Sequence, residues 1–266
     1  MKNLYATGLT GTIGRHLPAD VIPVNIDLSS NKEDFMSIDF ESNGNLLHLA
    51  GVVGPSEVLK DLDYARSVNV DGTDYLAQEF LRKSAGIFYY VSTSHVYAPS
   101  SNLISESSPL SPANIYAEQK LEAETSLQRL FELEASRLCI IRVFSVLDWD
   151  VAPFTLGGAI RKLIDSDFIL SNSSDVRDFL TPKSIAEALY EIATAQTQSG
   201  IINLCSASGI SVGEAAKKML RESGFQVVED RFSWNSGSNP YVVGDNSRLK
   251  SLHPRLDLTW QPSTLN

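Results

Sequence analysis

Three glycines follow the first apolar run of the chain, in the pattern Gly8-Leu-Thr-Gly11-Thr-Ile-Gly14. Glycines at a turn between a strand and a helix let the backbone approach a pyrophosphate, and the helix N-terminus attracts its negative charge. Asp27 follows Gly8 by nineteen residues, at the end of the second apolar run. A carboxylate there accepts hydrogen bonds from a ribose diol and repels the 2′-phosphate of NADP. The spacing predicts a dinucleotide site that favours NAD over NADP, and the alternative is a glycine-rich turn without a ligand. The turn residues of this site are Gly8, Thr10, Gly11, Thr12, Ile13 and Gly14.

Tyr116 and Lys120 are four residues apart in a stretch with helical periodicity. On a helix this spacing places the phenol and the ammonium on one face. A nearby ammonium favours the phenolate and lowers the tyrosine pKa from about 10, which suits proton transfer near neutrality. The alternative is a surface tyrosine and lysine on a solvated helix.

A run of hydroxyl residues, Ser92-Thr93-Ser94-His95, follows a strand-like apolar segment. Ligands of parallel sheets bind outside the carboxyl ends of the strands, so a hydroxyl here can contact a substrate carbonyl or alcohol. The alternative is a serine- and threonine-rich turn that only ends the strand.

The composition restricts the class of protein. Thirty-two acidic and 22 basic residues give a net charge of −10, which disfavours binding to nucleic acid or anionic lipid. Cys139 and Cys205 lie in apolar runs, which favours reduced core thiols, and the four histidines have no metal-ligand spacing. The chain has no apolar stretch of about 18 residues and no signal-like start, so we expect a cytoplasmic protein without a metal.

Apolar runs at 4–7, 21–26, 45–50, 87–92 and 138–144 alternate with amphipathic stretches at 64–83 and 115–135. This β-α-β alternation predicts an α/β protein with a Rossmann-type, doubly wound parallel sheet. We expect the dinucleotide-binding domain over residues 1–147 and a small α/β substrate lobe over 148–266. Part of 177–205 is expected to pack back on the first sheet.

The motifs TGxxGxxG, an acid after the second strand, HLAG, NVDGT, STS-x-VY and YxxxK occur in this order. Their combination resembles the extended short-chain dehydrogenases/reductases, and within them the NAD-dependent epimerase/dehydratase family, which acts on nucleotide sugars. The resemblance extends from Thr7 to about Pro262.

The resemblance implies roles for individual residues. Thr93, Tyr116 and Lys120 match the catalytic residues of the family, and its lysine also binds the nicotinamide ribose. The further cofactor contacts that it implies are Asp39 at the adenine, Ala50 at the end of HLAG, the structural Asn69, and Phe144 in the run Arg142-Val-Phe144-Ser145. The substrate-binding residues that it implies are Ser94, His95, Ser145 and Arg177.

Two of these residues have other interpretations. Arg177 begins an Arg-Asp-Phe run that resembles a motif whose arginine binds the nucleotide of the sugar donor, but it could instead form an ion pair with Asp175 or Asp178. His95 is a substrate-side acid or base, or a packed histidine.

Three departures from the family pattern narrow the reaction. Ser94 and His95 stand where the 4,6-dehydratases resemble one another in an acidic pair, so a dehydratase is not expected. Ser145 replaces an asparagine, and the segment 235–238 replaces an R-x-G-D run. These two changes weaken the case for a nucleotide diphosphate in the substrate.

We therefore expect an NAD(P)-dependent epimerase or ketoreductase of carbohydrate biosynthesis, with NAD favoured, that acts on a carbinol or keto carbon of a nucleotide sugar. Tyr116 would move the hydroxyl proton and Thr93 would bind the same oxygen. The alternatives are a reductase of a non-sugar carbonyl compound and a non-catalytic dinucleotide sensor. The intact Thr93, Tyr116 and Lys120 argue against the sensor. The resemblance also implies a homodimer, formed through the helices at 64–83 and 115–135.

Overall fold

The computed structural model describes residues 2–195, 199–235 and 240–265. Its strands are β1 (Leu4–Thr7), β2 (Ile22–Pro23), β3 (Asn45–His48), β4 (Phe88–Thr93), β5 (Leu138–Val143), β6 (Ser145–Val146), β7 (Val176–Leu180), β8 (Gly200–Leu204), β9 (Gly209–Ser211) and β10 (Tyr241–Val242). Its α-helices are α1 (Lys32–Phe35), α2 (Pro55–Val58), α3 (Leu62–Arg66), α4 (Thr73–Lys83), α5 (Ile115–Leu130), α6 (Leu156–Asp165), α7 (Pro182–Ala195), α8 (Val212–Glu222) and α9 (Ser247–Leu252). Within these residues no helix has the length and the apolar character needed to cross a bilayer.

The main sheet has six strands in the order β2-β1-β3-β4-β5-β8, and every neighbouring pair is parallel. This confirms the predicted Rossmann-type α/β fold. The chain runs from β1 outward to β2 and then returns to β3 on the other side of β1. The crevice that this reversal opens, at the carboxyl ends of β1 and β3, is where doubly wound sheets bind ligands.

Helices cover both faces of this sheet. On one face Leu76 and Phe80 of α4 and Leu127 of α5 pack against the strands. On the other face Ile185 and Leu189 of α7 do so. The predicted helix at 64–83 is formed by α3, a six-residue π-helical turn at Ser67–Gly72, and α4.

A second, smaller sheet has the order β10-β7-β6, with β9 antiparallel to β7. Its apolar core includes Ile160 of α6 and Met219 of α8. The helix α6 lies in a region where the sequence pattern is irregular and no helix was predicted. Within 177–205, β8 belongs to the main sheet and α7 packs against it. The domain boundary at 147/148 stays a prediction.

The sequence predicts a short helix over residues 13–17, ended by Pro18, and the structure differs in the type of this helix. No α-helix follows β1; the chain makes only the 3₁₀ turn Gly14–His16 before Leu17 becomes extended and Pro18 follows. Proline disfavours the α conformation in the residue before it, so the helix cannot continue past His16. The turn therefore lacks the helix N-terminus that the glycine pattern implied.

Candidate active site

One cavity of about 860 Å³ opens at the carboxyl ends of β1, β3, β4 and β5, facing the second sheet. It brings together most of the predicted site residues. The expected cofactor contacts on its wall are Gly8, Thr10, Gly11, Thr12, Ile13, Gly14, Ala50, Asn69 and Phe144. The expected catalytic and substrate-binding residues on its wall are Thr93, Tyr116, Lys120, Ser94, His95, Ser145 and Arg177.

Two predicted cofactor residues, Asp27 and Asp39, do not lie on the cavity wall, and both are exposed. Asp27 lies beyond β2, where its carboxylate accepts hydrogen bonds from the backbone N–H of Ser29 at 2.9 Å and from its hydroxyl at 2.7 Å. These two bonds lower the pKa of Asp27. The carboxylate is therefore ionised at neutral pH.

The glycine turn fits a group that needs close approach of the backbone. Gly8 has a φ of +72°, and a Cβ atom there would lie 2.7 Å from the amide nitrogen of Ala50. A Cβ atom at Gly14 would lie 2.1 Å from the carbonyl oxygen of Gly8. A side chain at Gly8 would push the loops after β1 and β3 apart, and one at Gly14 would clash with the turn itself. The turn thus provides the open backbone surface that a dinucleotide pyrophosphate requires.

A buried chain of hydrogen bonds supports this loop from below. The Thr7 hydroxyl accepts the N–H of Ala50 at 3.1 Å, and its oxygen lies 2.7 Å from Nδ1 of His48. The Thr73 hydroxyl donates to the Asn69 carbonyl at 3.0 Å, and its oxygen lies 3.0 Å from Nε2 of His48. The Thr73 hydroxyl donates its proton to Asn69, so it can only accept from the His48 ring. Nε2 of His48 therefore carries the ring proton, and Nδ1 accepts a hydrogen bond from the Thr7 hydroxyl. Burial lowers the pKa of His48 to about 3, with a further contribution from the charge of Lys120, so the ring is neutral.

The Asn69 side chain links the loop after β3 to α5. Its Oδ1 atom accepts the N–H of Val52 at 2.8 Å, and its Nδ2 atom donates to the Val52 carbonyl at 3.0 Å and to Oε1 of Gln119 at 2.9 Å. All three of its hydrogen bonds are made within the protein. Its contribution to the site is therefore to hold the cavity wall.

Tyr116 and Lys120 lie one turn apart at the start of α5, which Asn114 caps by accepting the N–H of Ala117 at 3.0 Å. Burial raises the pKa of Tyr116 well above its ordinary value. Burial lowers the pKa of Lys120 to about 7, and the nearby Glu124 carboxylate opposes this shift. The prediction that Lys120 lowers the phenol pKa is therefore wrong for the chain alone, because the loss of solvent around Tyr116 dominates.

Thr93 ends β4, and its hydroxyl accepts the backbone N–H of His95 at 3.3 Å. It therefore lies in a turn of the kind proposed as the alternative, yet it also lines the cavity. Burial and the positive charge of Arg177 lower the pKa of His95, so its imidazole is neutral. The His95 Nδ1 atom is buried and has no hydrogen-bond partner among the described residues.

Arg142 does not line the cavity, although the run that it begins does so through Phe144 and Ser145. Its Nη2 atom lies 2.6 Å from Oε2 of Glu124, and the two side chains are only 2% and 1% exposed. The Ser92 hydroxyl donates to the same carboxylate. Glu124 follows Lys120 by one helical turn, a spacing that could have indicated its place behind the site.

The substrate side of the cavity is formed largely by β7 and the region before it. Asp175, Arg177 and Phe179 alternate along the chain and line the cavity, whereas Asp178 points away. Nη2 of Arg177 lies 3.1 Å from Oδ2 of Asp175. The ion-pair alternative for Arg177 therefore holds for Asp175, while Asp178 accepts backbone N–H groups, including that of Ser206 at 2.7 Å.

Much of this side of the wall carries no sequence motif. The apolar lining residues that the sequence did not identify are Val151, Phe154, Leu156, Phe168, Leu170, Phe179 and Val212. Of the 235–238 segment, residues 236–238 lie outside the described residues. In the part of the chain that the structure describes, no group of histidine, cysteine, aspartate or glutamate side chains could hold a metal ion.

Comparisons with known proteins agree with this fold. The model of the NAD dependent epimerase/dehydratase family matches residues 4–205. GDP-6-deoxy-D-mannose reductase of Pseudomonas aeruginosa is 24% identical over 274 residues, covering 93% of this chain and 90% of the reductase. A structure of RMD from Pseudomonas aeruginosa complexed with NADPH has a TM-score of 0.81 at 21% identity, covering 100% of this chain and 93% of that one.

A second solved structure is also similar. It is the UDP-N-acetylglucosamine 4-epimerase from Methanobrevibacter ruminantium M1 in complex with UDP-N-acetylmuramic acid. Its TM-score is 0.79 at 19% identity, covering 96% of this chain and 93% of the epimerase. At these identities the two structures share the fold of this chain.

Proposed function

The chain belongs to the NAD-dependent epimerase/dehydratase family, and we propose that it moves a hydride to or from a carbinol or keto carbon of a nucleotide sugar. One observation carries the proposal. A single cavity holds the glycine turn, and the same wall holds Thr93, Tyr116 and Lys120. A dinucleotide bound at the turn and a substrate next to Tyr116 would therefore share one cavity.

The chain's own residues would handle the substrate oxygen. Tyr116 donates a proton to it during reduction and removes one during oxidation. The Thr93 hydroxyl accepts the His95 N–H, so its own proton remains available for the same substrate oxygen.

Lys120 and the turn residues would hold the cofactor. NAD, when bound, supplies the acceptor or donor of the hydride. The Lys120 ammonium would bind the nicotinamide ribose, and its charge would offset part of the rise in the Tyr116 pKa that burial causes. Asp27, ionised and exposed, would select NAD over NADP by repelling a 2′-phosphate, while Asp39 would contact the adenine.

The reaction class is that of a reductase or an epimerase. Ser94 and His95 provide no carboxylate to remove water from the substrate, so we exclude a 4,6-dehydratase from the proposal. The relatives support a nucleotide sugar, since one is a GDP-6-deoxy-D-mannose reductase and another a GDP-6-deoxy-D-talose 4-dehydrogenase. Arg177, His95, Ser94 and Ser145 would contact the substrate.

A second candidate is a reductase of a non-sugar carbonyl compound. The observation in its favour is the apolar character of the substrate side, where Phe154, Phe168 and Phe179 lie on the wall. Turnover of a nucleotide sugar by the purified enzyme would exclude this candidate.

The proposal includes a homodimer formed through the helical stretch at 64–83 and α5. A charged groove lies between this stretch and α5, in which Arg66 of α3 bonds Asp71 at 2.9 Å and Glu122 at 2.5 Å. Light scattering at low and high salt measures the oligomeric state, and a monomer under both conditions would contradict the proposed dimer.

The first experiment is to denature the freshly purified protein and identify the released nucleotide by mass spectrometry. Stoichiometric NAD would support an epimerase, because its cycle regenerates the cofactor without release. An empty site that fills on addition of NADH would support a reductase, which exchanges cofactor at every turnover. Failure to bind either NAD or NADP in any form would contradict the proposed function.

A further inference from the structure

Residues 148–155 form a strap that crosses the cavity between the second sheet and α6. The strap follows β6 of the second sheet and leads directly into α6, which packs in the core of that sheet. The side of the strap that faces the cavity contributes Val151, Ala152, Phe154 and Thr155 to its wall. The strap therefore belongs to the smaller lobe but covers space that the main sheet also lines.

The smaller lobe holds the strap at both ends. At its start, Oδ1 of Asp148 accepts the backbone N–H of Ser263 at 3.1 Å and also the Ser263 hydroxyl. At its end, a Cβ atom at Gly157 of α6 would lie 2.4 Å from the Asp148 carbonyl oxygen. A Cβ atom at Gly158 would lie 2.1 Å from the carbonyl oxygen of Pro153. The strap thus packs tightly on the start of α6 and forms one unit with it.

Contacts with Arg15 and Gly54 fasten the strap to the loops of the main sheet. Arg15 is the residue after the last glycine of the turn, and its Nη2 atom lies 2.8 Å from Oδ2 of Asp150. The same nitrogen donates to the Asp150 carbonyl oxygen at 2.5 Å. On the other side, Cε2 of Phe154 lies 3.4 Å from the place that a Cβ atom at Gly54 would occupy. The strap is therefore attached by an ion pair and by an aromatic contact.

These two contacts lie on opposite sides of the crevice in the main sheet. Arg15 belongs to the turn after β1, and Gly54 belongs to the loop after β3. The crevice opens between these loops, because the strand order reverses at β1. The strap therefore bridges the crevice beside the glycine turn. A dinucleotide bound at the turn would lie beneath it.

We propose that the strap retains the bound dinucleotide and that its detachment from the main sheet limits cofactor release, with Arg15 and Asp150 as positioning residues and Phe154 as the second point of closure. The inference rests on the dinucleotide site of the proposed function and adds how that site keeps its cofactor. The side chains of Arg15 and Asp150 are 38% and 70% exposed, and Phe154 is 48% exposed. Exposed ion pairs are weak and are screened by salt, so the strap can open while the rest of the fold stays intact.

The test measures the rate constant for NADH release by stopped-flow fluorescence, with excess NAD added to displace the bound NADH. Arg15→Met should accelerate release about two- to fivefold, as expected for the loss of an exposed ion pair. Phe154→Ala should act by a similar factor, and the double variant should release NADH about tenfold faster. Because both side chains are largely exposed, these variants should fold as wild type does. Lys183→Met removes an exposed cation from its pair with Glu187 on α7, and this control should release NADH at the wild-type rate.

Asp150→Asn distinguishes the strap from a simple attraction between Arg15 and the cofactor. If charge alone mattered, removing this carboxylate and freeing Arg15 would favour the anionic cofactor and slow its release. Retention by the strap predicts the opposite result, a release about twofold or more faster, because the ion pair that fastens the strap is gone. Release from the wild-type protein should also accelerate with salt, whereas release from Arg15→Met should depend on salt less.

Two results would overturn the inference. One is release at the wild-type rate from the double variant of Arg15 and Phe154. The other is unchanged or slower release from Asp150→Asn. Both results are obtained on protein that binds NADH, so they leave the proposed function intact. That function fails instead if the wild-type protein binds no dinucleotide or if hydride transfer survives the loss of the Tyr116 hydroxyl.

Discussion

The Nζ atom of Lys120 lies 4.0 Å from the centroid of the Tyr90 ring. The aromatic face partly replaces the water that a buried ammonium loses. The Tyr90 ring does not replace all of this hydration, since the pKa of Lys120 still falls to about 7 from its ordinary value of 10.5. Without a dinucleotide, Lys120 is therefore a group whose charge is costly to the folded state.

Replacing Lys120 by methionine should stabilise the enzyme in the absence of nucleotide. The unfolded chain holds the lysine proton more tightly than the folded chain, so the penalty in wild type grows as pH falls below 10.5 and is complete below about 7. Allowing for the lost contact with Tyr90, we expect a gain of about 2–4 kcal/mol at pH 7 that shrinks towards pH 10. Urea unfolding of both proteins at several pH values measures it. If the two proteins differ in stability by the same amount at all pH values, the cost does not come from the Lys120 ammonium. The Lys120→Met variant should also lose turnover at every pH.

Tyr116→Phe should reduce turnover by about 10²–10⁴-fold and leave NAD affinity unchanged. Because burial raises the pKa of the phenol, Tyr116 is protonated at neutral pH in the chain alone. We therefore expect the oxidative direction of the wild-type enzyme to accelerate as pH rises from 7 to 9, with a flatter profile for reduction. Steady-state rates in both directions and NAD titrations test this. Tyr64→Phe, an exposed tyrosine on α3, is the control and should behave as wild type. Substantial activity in Tyr116→Phe would show that another residue transfers the proton.

The parts of the site that could be predicted depend on short spacings. Gly8, Gly11 and Gly14 lie within one turn after a strand, and Tyr116 and Lys120 lie within one turn of a helix, so local geometry alone brings them together. The parallel sheet was predictable for a similar reason, since its long strands are separate apolar runs.

The rest of the site depends on contacts that spacing does not encode. Asp175 reaches the cavity because β7 pairs with β6, β9 and β10, which come from distant parts of the chain. The raised pKa of Tyr116 comes from burial in the tertiary structure, and the four-residue spacing between Tyr116 and Lys120 does not encode that burial. The short length of the helix after the glycine turn was predictable from Pro18, whereas its 3₁₀ form was not.

Glu124→Gln should destabilise the protein by roughly 3–5 kcal/mol, because it leaves the Arg142 guanidinium buried without its carboxylate. Arg142→Met should have a similar effect, and the double replacement of Glu124 and Arg142 by methionine should cost much less than the sum of the two. Urea unfolding of the four proteins gives the coupling free energy. The exposed pair of Lys183 and Glu187, 4.0 Å apart, is the matched control, and Glu187→Gln should cost under about 0.5 kcal/mol. Additive effects of the buried replacements would show that the pair is not a unit.

Asp27→Asn should shift cofactor preference from NADH towards NADPH. The amide oxygen can still accept from Ser29, so the turn is kept while the negative charge is removed. The charge that repels a 2′-phosphate is then absent, and we expect the ratio of kcat/KM for NADPH to that for NADH to rise about tenfold. Asp39→Asn is the control for a general loss of cofactor binding. The adenine that Asp39 would contact is common to NADH and NADPH, so this change should weaken the binding of both equally. If Asp27→Asn weakens both cofactors in the same proportion, Asp27 serves the shape of the turn and does not select between them.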